Sequence, residues 1–131
     1  GHPLLERETV TPQDLAPHAL ISFGRETHFG QLLDQAFESV AVRRQIGLQV
    51  TMSIVAACYV QRGLGVALID SFALNAGLAG LGWRPFAPTV VLPVTLMSQG
   101  NHLLSRHASG LVTSIEKVLQ GWTRSMRKSR R

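Results

Sequence analysis

The stretch of residues 51–72 constrains the fold of this chain more than any other, and it reads TMSIVAACYVQRGLGVALIDSF. It predicts an apolar helix over residues 54–61, a two-glycine turn of minimal length, and a strand over residues 66–69. A buried helix that leads directly into a strand is half of an α/β unit. Polar residues 51–53 precede the helix and Asp70 follows the strand, which are positions where α/β units place ligand contacts. The pattern therefore predicts an α/β domain that binds a small molecule.

The composition describes a single domain with a sizeable core. The chain has 131 residues, of which 45% are hydrophobic and 16% are charged, so it is long enough to fold and too apolar to be disordered. No apolar run approaches the roughly 20 residues that a membrane-spanning helix needs, and no secretory signal opens the sequence. Cys58 is the only cysteine, which excludes a disulfide framework. Together these features favour a bacterial-type cytoplasmic domain without membrane contact.

The positive charge is concentrated at the end of the chain. The net charge is +5, and five of the 13 basic residues stand within the last eight positions, where there is no acidic residue. The other eight basic residues balance the eight acidic ones. The basic end can contact phosphate groups, or it can be a solvated helix end whose cations suit the helix dipole. The rest of the chain has no charge excess that would favour nucleic acid.

Helical and extended patterns alternate along the sequence. The predicted strands are residues 19–23, 45–50, 66–69 and 90–97, and the predicted helices are residues 11–15, 26–40, 54–61, 71–76 and 103–125. Thr11 is the expected N-cap of the first, very short helix, and Pro93 indicates an edge position or a bend in the last strand. Alternation with short connections predicts an α/β fold with a parallel or mixed sheet flanked by helices.

The sequence contains no recognisable catalytic or metal-binding pattern. The five histidines lack the H-x-x-x-H helical spacing with a glutamate that zinc enzymes use. Ser22 stands in S-F-G and not in a G-x-S-x-G elbow, and the glycines at 63 and 65 precede a strand, whereas dinucleotide-binding loops follow one. We therefore expect no catalytic residues, no metal and no cofactor.

Two connections at the carboxyl ends of predicted strands are better candidates for a binding site. Gly24, Arg25, Glu26 and Thr27 connect the first strand to its helix, while Thr51, Met52 and Ser53 join the second strand to its helix. Free backbone N–H groups and hydroxyls at such connections can bind an anion, and an arginine can pair with a carboxylate. Each has a structural alternative: the arginine can be a solvated surface residue, and the hydroxyls can simply cap the helix.

The order of several segments resembles LysR-type transcriptional regulators. His2-Pro3-Leu4, Val10-Thr11-Pro12-Gln13-Asp14-Leu15 and Ala19-Leu20-Ile21-Ser22 are similar to the linker and first strand of that family. The run from Val60 to Ile69 resembles the family's G-x-G turn between helix and strand. Val94-Thr95-Leu96, Leu103-Leu104-Ser105 and the long final helix resemble the end of its effector domain.

The resemblance implies a type 2 periplasmic-binding-protein-like effector domain, in which a ligand binds between two α/β lobes. Most of the first lobe is absent, as is the winged helix-turn-helix through which such regulators bind DNA. The implied divisions are residues 1–18 as a crossover, 19–88 as the second lobe, 89–126 as the return crossover and closing helix, and 127–131 as a basic tail.

The resemblance also implies roles for particular residues. Ser22, Gly24, Thr51 and Ser53 are the expected second-lobe cleft residues, with Arg25, Met52 and Asp70 beside them. A helix face carrying Gln31, Asp34, Gln35 and Glu38 resembles the surface through which effector domains pair into homo-oligomers. The run from Gly65 to Leu74 is closest to members that respond to amino acids or opines, which favours a carboxylate-bearing effector.

Two other classes of protein share this fold. A transport-type solute-binding protein has the same lobes, although no export signal is visible here. A small α/β enzyme would require an acid–base pair in a closed pocket, and the sequence offers no such pair.

Overall fold

The computed structural model describes residues 1–76, 80–97 and 105–128 and divides into two compact units, Gly1–Pro93 and Val94–Arg131. In the first unit the helices are α1 (Pro12–Leu15), α2 (His28–Glu38) and α3 (Ser53–Gln61), with 3₁₀ turns at Pro3–Glu6 and Ala73–Ala76. Its strands are β1 (Leu20–Phe23) and β2 (Ile46–Val50). The second unit contains α4 (Arg106–Lys128). The predicted α/β class is thereby confirmed.

β1 lies between two parallel neighbours. It pairs with β2 in parallel register, with Phe23 opposite Val50. On its other side the N–H of Ile21 donates to the carbonyl of Val66 at 2.9 Å, and the N–H of Leu68 donates to the carbonyl of Ile21 at 3.3 Å. The predicted strand at residues 66–69 is therefore at its expected place, but it forms a single isolated bridge and no regular strand. The chain reaches this bridge directly from a turn in which Gly63 and Gly65 both have positive φ.

Alternate residues of β1 contribute to two apolar clusters. Ile21 and Phe23 belong to a cluster that is completed by Leu33, Val50 and Ala56. Leu20 belongs to a second cluster with Val10, Leu15 and Phe37. This division follows from the alternation of side chains along a strand. Because α2 supplies Leu33 to one cluster and Phe37 to the other, its position relative to β1 is fixed by both.

Residues next to α2 determine where the helix begins and ends. The hydroxyl of Thr27 accepts the N–H of Gly30 at 2.9 Å, so the helix begins at His28, two residues after the predicted start. It ends at Glu38, before the predicted end at residue 40, and Ala41 then has a φ of 55°. The apolar stripe predicted the helix correctly, whereas the cap decided its first residue.

Two segments that the sequence places far apart run side by side. Val10 donates to the carbonyl of Pro85 at 2.8 Å, and its own carbonyl accepts the N–H of Ala87 at 2.9 Å. Arg84 strengthens this pairing, because its Nε donates to the carbonyl of Arg7 at 2.7 Å and its Nη2 donates to the carbonyl of Leu5. The stretches around residues 10 and 86 therefore form a short parallel pair.

The predicted strand over residues 90–97 is wrong. None of these residues belongs to a strand, and most of them are exposed. A strand requires a neighbour that pairs with its backbone N–H and C=O groups. Within the described residues no segment pairs with this stretch, although it is rich in valine. The helix predicted over residues 71–76 is a 3₁₀ turn at Ala73–Ala76. The helix predicted over residues 103–125 corresponds to α4, which begins at Arg106 and ends at Lys128. Residues 103 and 104 lie outside the described residues.

We predict that Gly30→Ala destabilises the first unit by about 1–3 kcal/mol, as overpacking does. A Cβ atom at this position would lie 1.9 Å from the carbonyl oxygen of Gly24, although alanine is the better helix former. Urea denaturation followed by circular dichroism measures the change. Gly110→Ala in α4 is the matched control, because nothing lies within 4 Å of its added methyl group. A Gly30→Ala chain as stable as the original would contradict the close approach of α2 to residue 24.

We also predict that Asp14→Asn lowers the melting temperature at pH 7 and that this difference disappears in acid. Hydrogen bonds from the N–H and hydroxyl of Thr11, with a smaller contribution from Arg7, hold the pKa of Asp14 below its ordinary value of 3.8. The ionised form is therefore favoured by folding, and its stabilisation is present above the ordinary pKa and is lost as the pH falls through the lowered one. Thermal denaturation between pH 7 and pH 2 tests this, with exposed Glu6→Gln as the control. A difference that persists unchanged at pH 2 would contradict the assignment.

Candidate functional site

The carboxyl ends of the parallel segments meet at one edge of the sheet. β1 ends at Phe23 and β2 ends at Val50, and the two residues are direct partners. The segment that pairs with Ile21 runs in the same direction and leads to Asp70. Since parallel segments have their carboxyl ends at the same edge, Gly24, Thr51 and Asp70 follow three neighbouring segments at that edge.

A hydrogen bond joins two of the predicted site residues across 17 positions of sequence. The hydroxyl of Ser53 donates to Oδ2 of Asp70, and the same hydroxyl oxygen accepts the N–H of Asp70 at 3.3 Å. The other carboxylate oxygen of Asp70 accepts the N–H groups of Phe72 at 2.9 Å and Ala73 at 3.3 Å. Asp70 therefore caps the following 3₁₀ turn and also fixes the start of α3.

The first turn of α3 has no side-chain cap. Met52 is the N-cap residue, with extended backbone angles, and its carbonyl accepts the N–H groups of Val55 and Ala56. Neither Thr51 nor Ser53 caps the helix, because the Ser53 hydroxyl is bonded to Asp70. Thr51 is exposed, and so is Met52, at 57% of its maximal area. The start of α3 thus combines uncapped N–H groups with an exposed hydroxyl, an arrangement suited to an anion.

Ser22 lies in the interior, where its partner is an arginine. It is completely buried, and its hydroxyl accepts a hydrogen bond from Nη1 of Arg44 at 2.6 Å. Gly24, at the end of the same strand, is buried too, and its carbonyl accepts both the N–H and the hydroxyl of Thr27. The role of Ser22 in contacting an effector stays a prediction, and its observed partner is an arginine.

Arg44 is the functional candidate that the sequence did not reveal. Its side chain has 0% exposure, and its Nε and Nη2 lie 2.9 and 2.8 Å from Oδ1 of Asp34. Nη1 also donates to the carbonyl of Phe23 at 2.9 Å, and Nη2 donates to the carbonyl of Gly30 at 3.1 Å. The Arg43-Arg44 doublet before a strand has the pattern of a solvated surface, so no feature of the sequence distinguishes the buried arginine from its exposed neighbour.

Arg25 connects the predicted effector residues to the predicted interface. It is 76% exposed, yet its Nε lies 2.8 Å from Oδ2 of Asp34 and its Nη2 lies 3.1 Å from Oε1 of Glu38. Its carbonyl also accepts the side-chain amide of Gln31 at 3.0 Å. Three of the four predicted interface residues therefore contact Arg25, and the fourth, Gln35, is exposed.

Glu26, in the candidate connection after β1, contacts the neighbouring strand. Its Oε1 accepts the side-chain amide of Gln49 at 2.6 Å, which joins the loop after β1 to β2. A Cβ atom at Gly24 would lie 2.2 Å from the Glu26 carboxylate and 2.6 Å from the Gln49 amide. Glycine at position 24 thus lets this pair lie directly against the backbone at the carboxyl end of β1.

Metal-binding groups, membrane-spanning helices and cavities were the other features considered in the described part of the chain. Within it there is no group of three or more His, Cys, Asp or Glu side chains that can hold a metal ion. None of the helices over those residues is both long and apolar enough to span a membrane. A cavity of about 690 Å³ is lined by residues between His2 and His18, and it includes none of the predicted site residues.

Comparisons with known proteins place this geometry in context. A family model described as the LysR substrate binding domain matches residues 1–120. The chain is 31% identical over 121 residues to the transcriptional activator protein LysR of Escherichia coli K12, a match that covers 92% of this chain and 38% of that protein. Over 74 residues it is 35% identical to the HTH-type transcriptional regulator CysB of Burkholderia cenocepacia, covering 56% of this chain and 24% of that regulator. Over 75 residues it is 27% identical to the HTH-type transcriptional regulator SsuR of the same organism, covering 57% of this chain and 24% of that regulator. The chain thus spans less than two fifths of the length of these relatives.

We predict that Arg44→Met lowers the free energy of unfolding by about 3 kcal/mol or more, as the loss of one partner of a buried ion pair does. The substitution leaves the Ser22 hydroxyl and two carbonyl groups without their buried donor. Arg43→Met removes the same charge from an exposed position and should change stability by about 0.5 kcal/mol at most. Chemical denaturation of the two variants measures the difference. Equal stability of the pair would show that Arg44 does not hold these elements together.

Proposed function

Because this chain belongs to the LysR substrate-binding domain family, we propose that it is the effector-sensing part of a LysR-type transcriptional regulator. The relatives described above are transcriptional regulators by name, two of them of the HTH type. In this proposal the chain binds a small metabolite and has no catalytic role. DNA is bound by a winged helix-turn-helix elsewhere in the regulator, which acts in the cytoplasm.

The proposed architecture is one complete lobe with parts of another. Residues 19–88 form the second lobe of a type 2 periplasmic-binding-protein-like domain, and residues 1–18 are the crossover that leads into it. Residues 89–126 comprise the return crossover and the closing helix of the first lobe, followed by the basic residues 127–131. The pairing of Val10 with Phe86 supports this division, because it brings the incoming crossover next to the end of the lobe.

The effector site that we propose lies at the carboxyl edge of the sheet. The observation that carries this proposal is the bond from Ser53 to Asp70, which brings the start of α3 to the segment that follows the bridge at Ala67. Thr51 and Met52 are exposed beside this bond, and Gly24 follows the neighbouring strand. Arg25 and Ser22 are included as residues that surround the site, although their observed partners are other side chains.

The charges at this edge favour an effector that carries both signs. The uncapped N–H groups of α3 and the Thr51 hydroxyl suit a carboxylate. Asp70 and Glu26 supply negative charge to the same edge, while Arg25 is paired with Asp34 and Glu38. An amino acid or an opine has a carboxylate for the helix start and an ammonium group for Asp70, which fits this distribution.

The same proposal includes homo-oligomer formation through the outer face of α2. The residues assigned to that face are Gln31, Asp34, Gln35 and Glu38, of which all but Asp34 are exposed. An effector that binds one lobe arrangement more tightly than another shifts the population of arrangements. If DNA also favours one of these arrangements, effector binding and DNA binding are coupled. The coupling free energy is given by the factor by which bound DNA changes the affinity for the effector.

We predict that Thr51→Ala weakens effector affinity by about three- to tenfold, the loss expected for one hydrogen bond to a bound ligand. The folded structure should be unaffected, because Thr51 is exposed. A thermal-shift screen of the regulator that contains this chain, against amino acids, opines and aliphatic and aromatic carboxylates, identifies a ligand, and calorimetry then gives both affinities. Thr89→Ala is the control, since Thr89 is also exposed but lies after the Val10–Phe86 pairing.

Ser53→Ala is the companion variant and has a different expected outcome. It removes the donor to Asp70 and so should weaken both effector binding and the anchoring of α3. Effector affinity that is unchanged in both Thr51→Ala and Ser53→Ala would refute this location for the site.

A further inference from the structure

The two carboxylate oxygens of Asp34 each contact a different arginine. Its Oδ1 lies 2.8 Å from Nη2 of the buried Arg44, and its Oδ2 lies 2.8 Å from Nε of the exposed Arg25. The Arg44 contact includes a hydrogen bond from Nε at 2.9 Å, whereas the Arg25 contact is an ion pair without hydrogen-bond geometry. One carboxylate in the middle of α2 therefore joins an inner and an outer cation.

The inner cation holds the end of β1. Arg44 donates to the carbonyl of Phe23, the last residue of the strand, at 2.9 Å and to the hydroxyl of Ser22 at 2.6 Å. Burial of a guanidinium is unfavourable unless its donors are paired, so its position determines the positions of its acceptors. The bonds from Arg44 thus hold the last two residues of β1 in place.

The outer cation holds the loop that follows. Arg25 belongs to residues 24–27, and its guanidinium binds Asp34 and Glu38 on α2. Its carbonyl accepts the Gln31 amide at 3.0 Å, so both its backbone and its side chain are attached to the same helix. The loop is also closed by the N–H of Thr27, which donates to the carbonyl of Gly24 at 3.1 Å.

We infer that the Arg25–Asp34–Arg44 cluster is a positioning device for residues 24–27 at the carboxyl end of β1. Neither arginine contacts the effector in this arrangement, and both influence its binding through the placement of the loop. Two of the three nitrogens of the Arg25 guanidinium already lie against protein carboxylates, one of which is mostly buried. This inference rests on the proposed function, because it concerns the same binding edge.

Glu38→Gln separates positioning from direct contact, because the two roles predict opposite signs. If Arg25 bound an effector carboxylate, removing the negative charge of Glu38 would release the guanidinium and tighten binding. If Arg25 positions the loop, the same change loosens the loop and weakens binding by about two- to fivefold, the range of an exposed ion pair. Glu38 has 63% side-chain exposure, so the variant is expected to fold.

The affinity experiment uses the regulator that contains this chain. Calorimetric titrations with L-glutamate, L-arginine, octopine, succinate and benzoate compare the original protein, Glu38→Gln and the control Glu8→Gln, in which another exposed glutamate is changed. Weaker binding only in Glu38→Gln supports the inference. Binding that is tighter than in the control, or equal to it, overturns it.

A second measurement decides the inference without any ligand. Amide hydrogen exchange of Thr27 and Gly30 reports on the loop. The N–H of Thr27 donates to the carbonyl of Gly24, and the N–H of Gly30 donates to the hydroxyl of Thr27. We expect exchange about two- to fivefold faster in Glu38→Gln than in Glu8→Gln. Equal exchange in the two variants overturns the inference. If none of the five compounds binds the original protein, the proposed function loses its support, and the exchange rates still decide whether the cluster positions the loop.

Discussion

The arrangement of the first unit depends on the burial of one positive charge. The Arg44 side chain has no exposed area, and from the segment before β2 its guanidinium bonds to both β1 and α2. An unpaired charge in such a place would be strongly destabilising. The register of these three elements is therefore coupled: none of them can shift without leaving a buried donor or acceptor unpaired. Apolar packing brings the elements together, and the arginine restricts how they fit.

This coupling has a consequence for the binding edge. The carboxyl ends of the parallel segments carry mostly negative or neutral side chains, because both nearby arginines are engaged with Asp34 and Glu38. In the proposed site, an anionic group lies against the backbone N–H groups at the start of α3 and the Thr51 hydroxyl. Recognition by backbone dipoles depends strongly on geometry, since their field falls off within the first turn of the helix. A site of this kind requires firm positioning of its loops.

Much of the fold could be predicted from the sequence, and the parts that failed have a common cause. The apolar stripe of α2, the Thr11 cap and the short passage from α3 to residues 66–69 are local patterns, and the structure confirms each of them. Residues 90–97 have the composition of a strand, but a strand also needs a partner, which composition does not reveal.

The candidate site shows the same limit. The positions of Gly24, Thr51 and Asp70 at one edge follow from parallel topology, which alternation predicts. The partners of individual side chains do not follow from it. Arg43 and Arg44 are chemically identical neighbours, yet one is exposed and the other is buried against Asp34. Only the path of the chain between α2 and β2 decides which of the two faces inward.

The pairing of Val10 with Phe86 brings segments near the two ends of the first unit side by side. The segments around Val10 and Phe86 are neighbours, and Arg84 joins them by donating to the carbonyls of Leu5 and Arg7. A unit whose two ends lie side by side can be inserted into another fold without distorting it. The first unit can therefore be joined to the rest of a larger protein through two neighbouring segments.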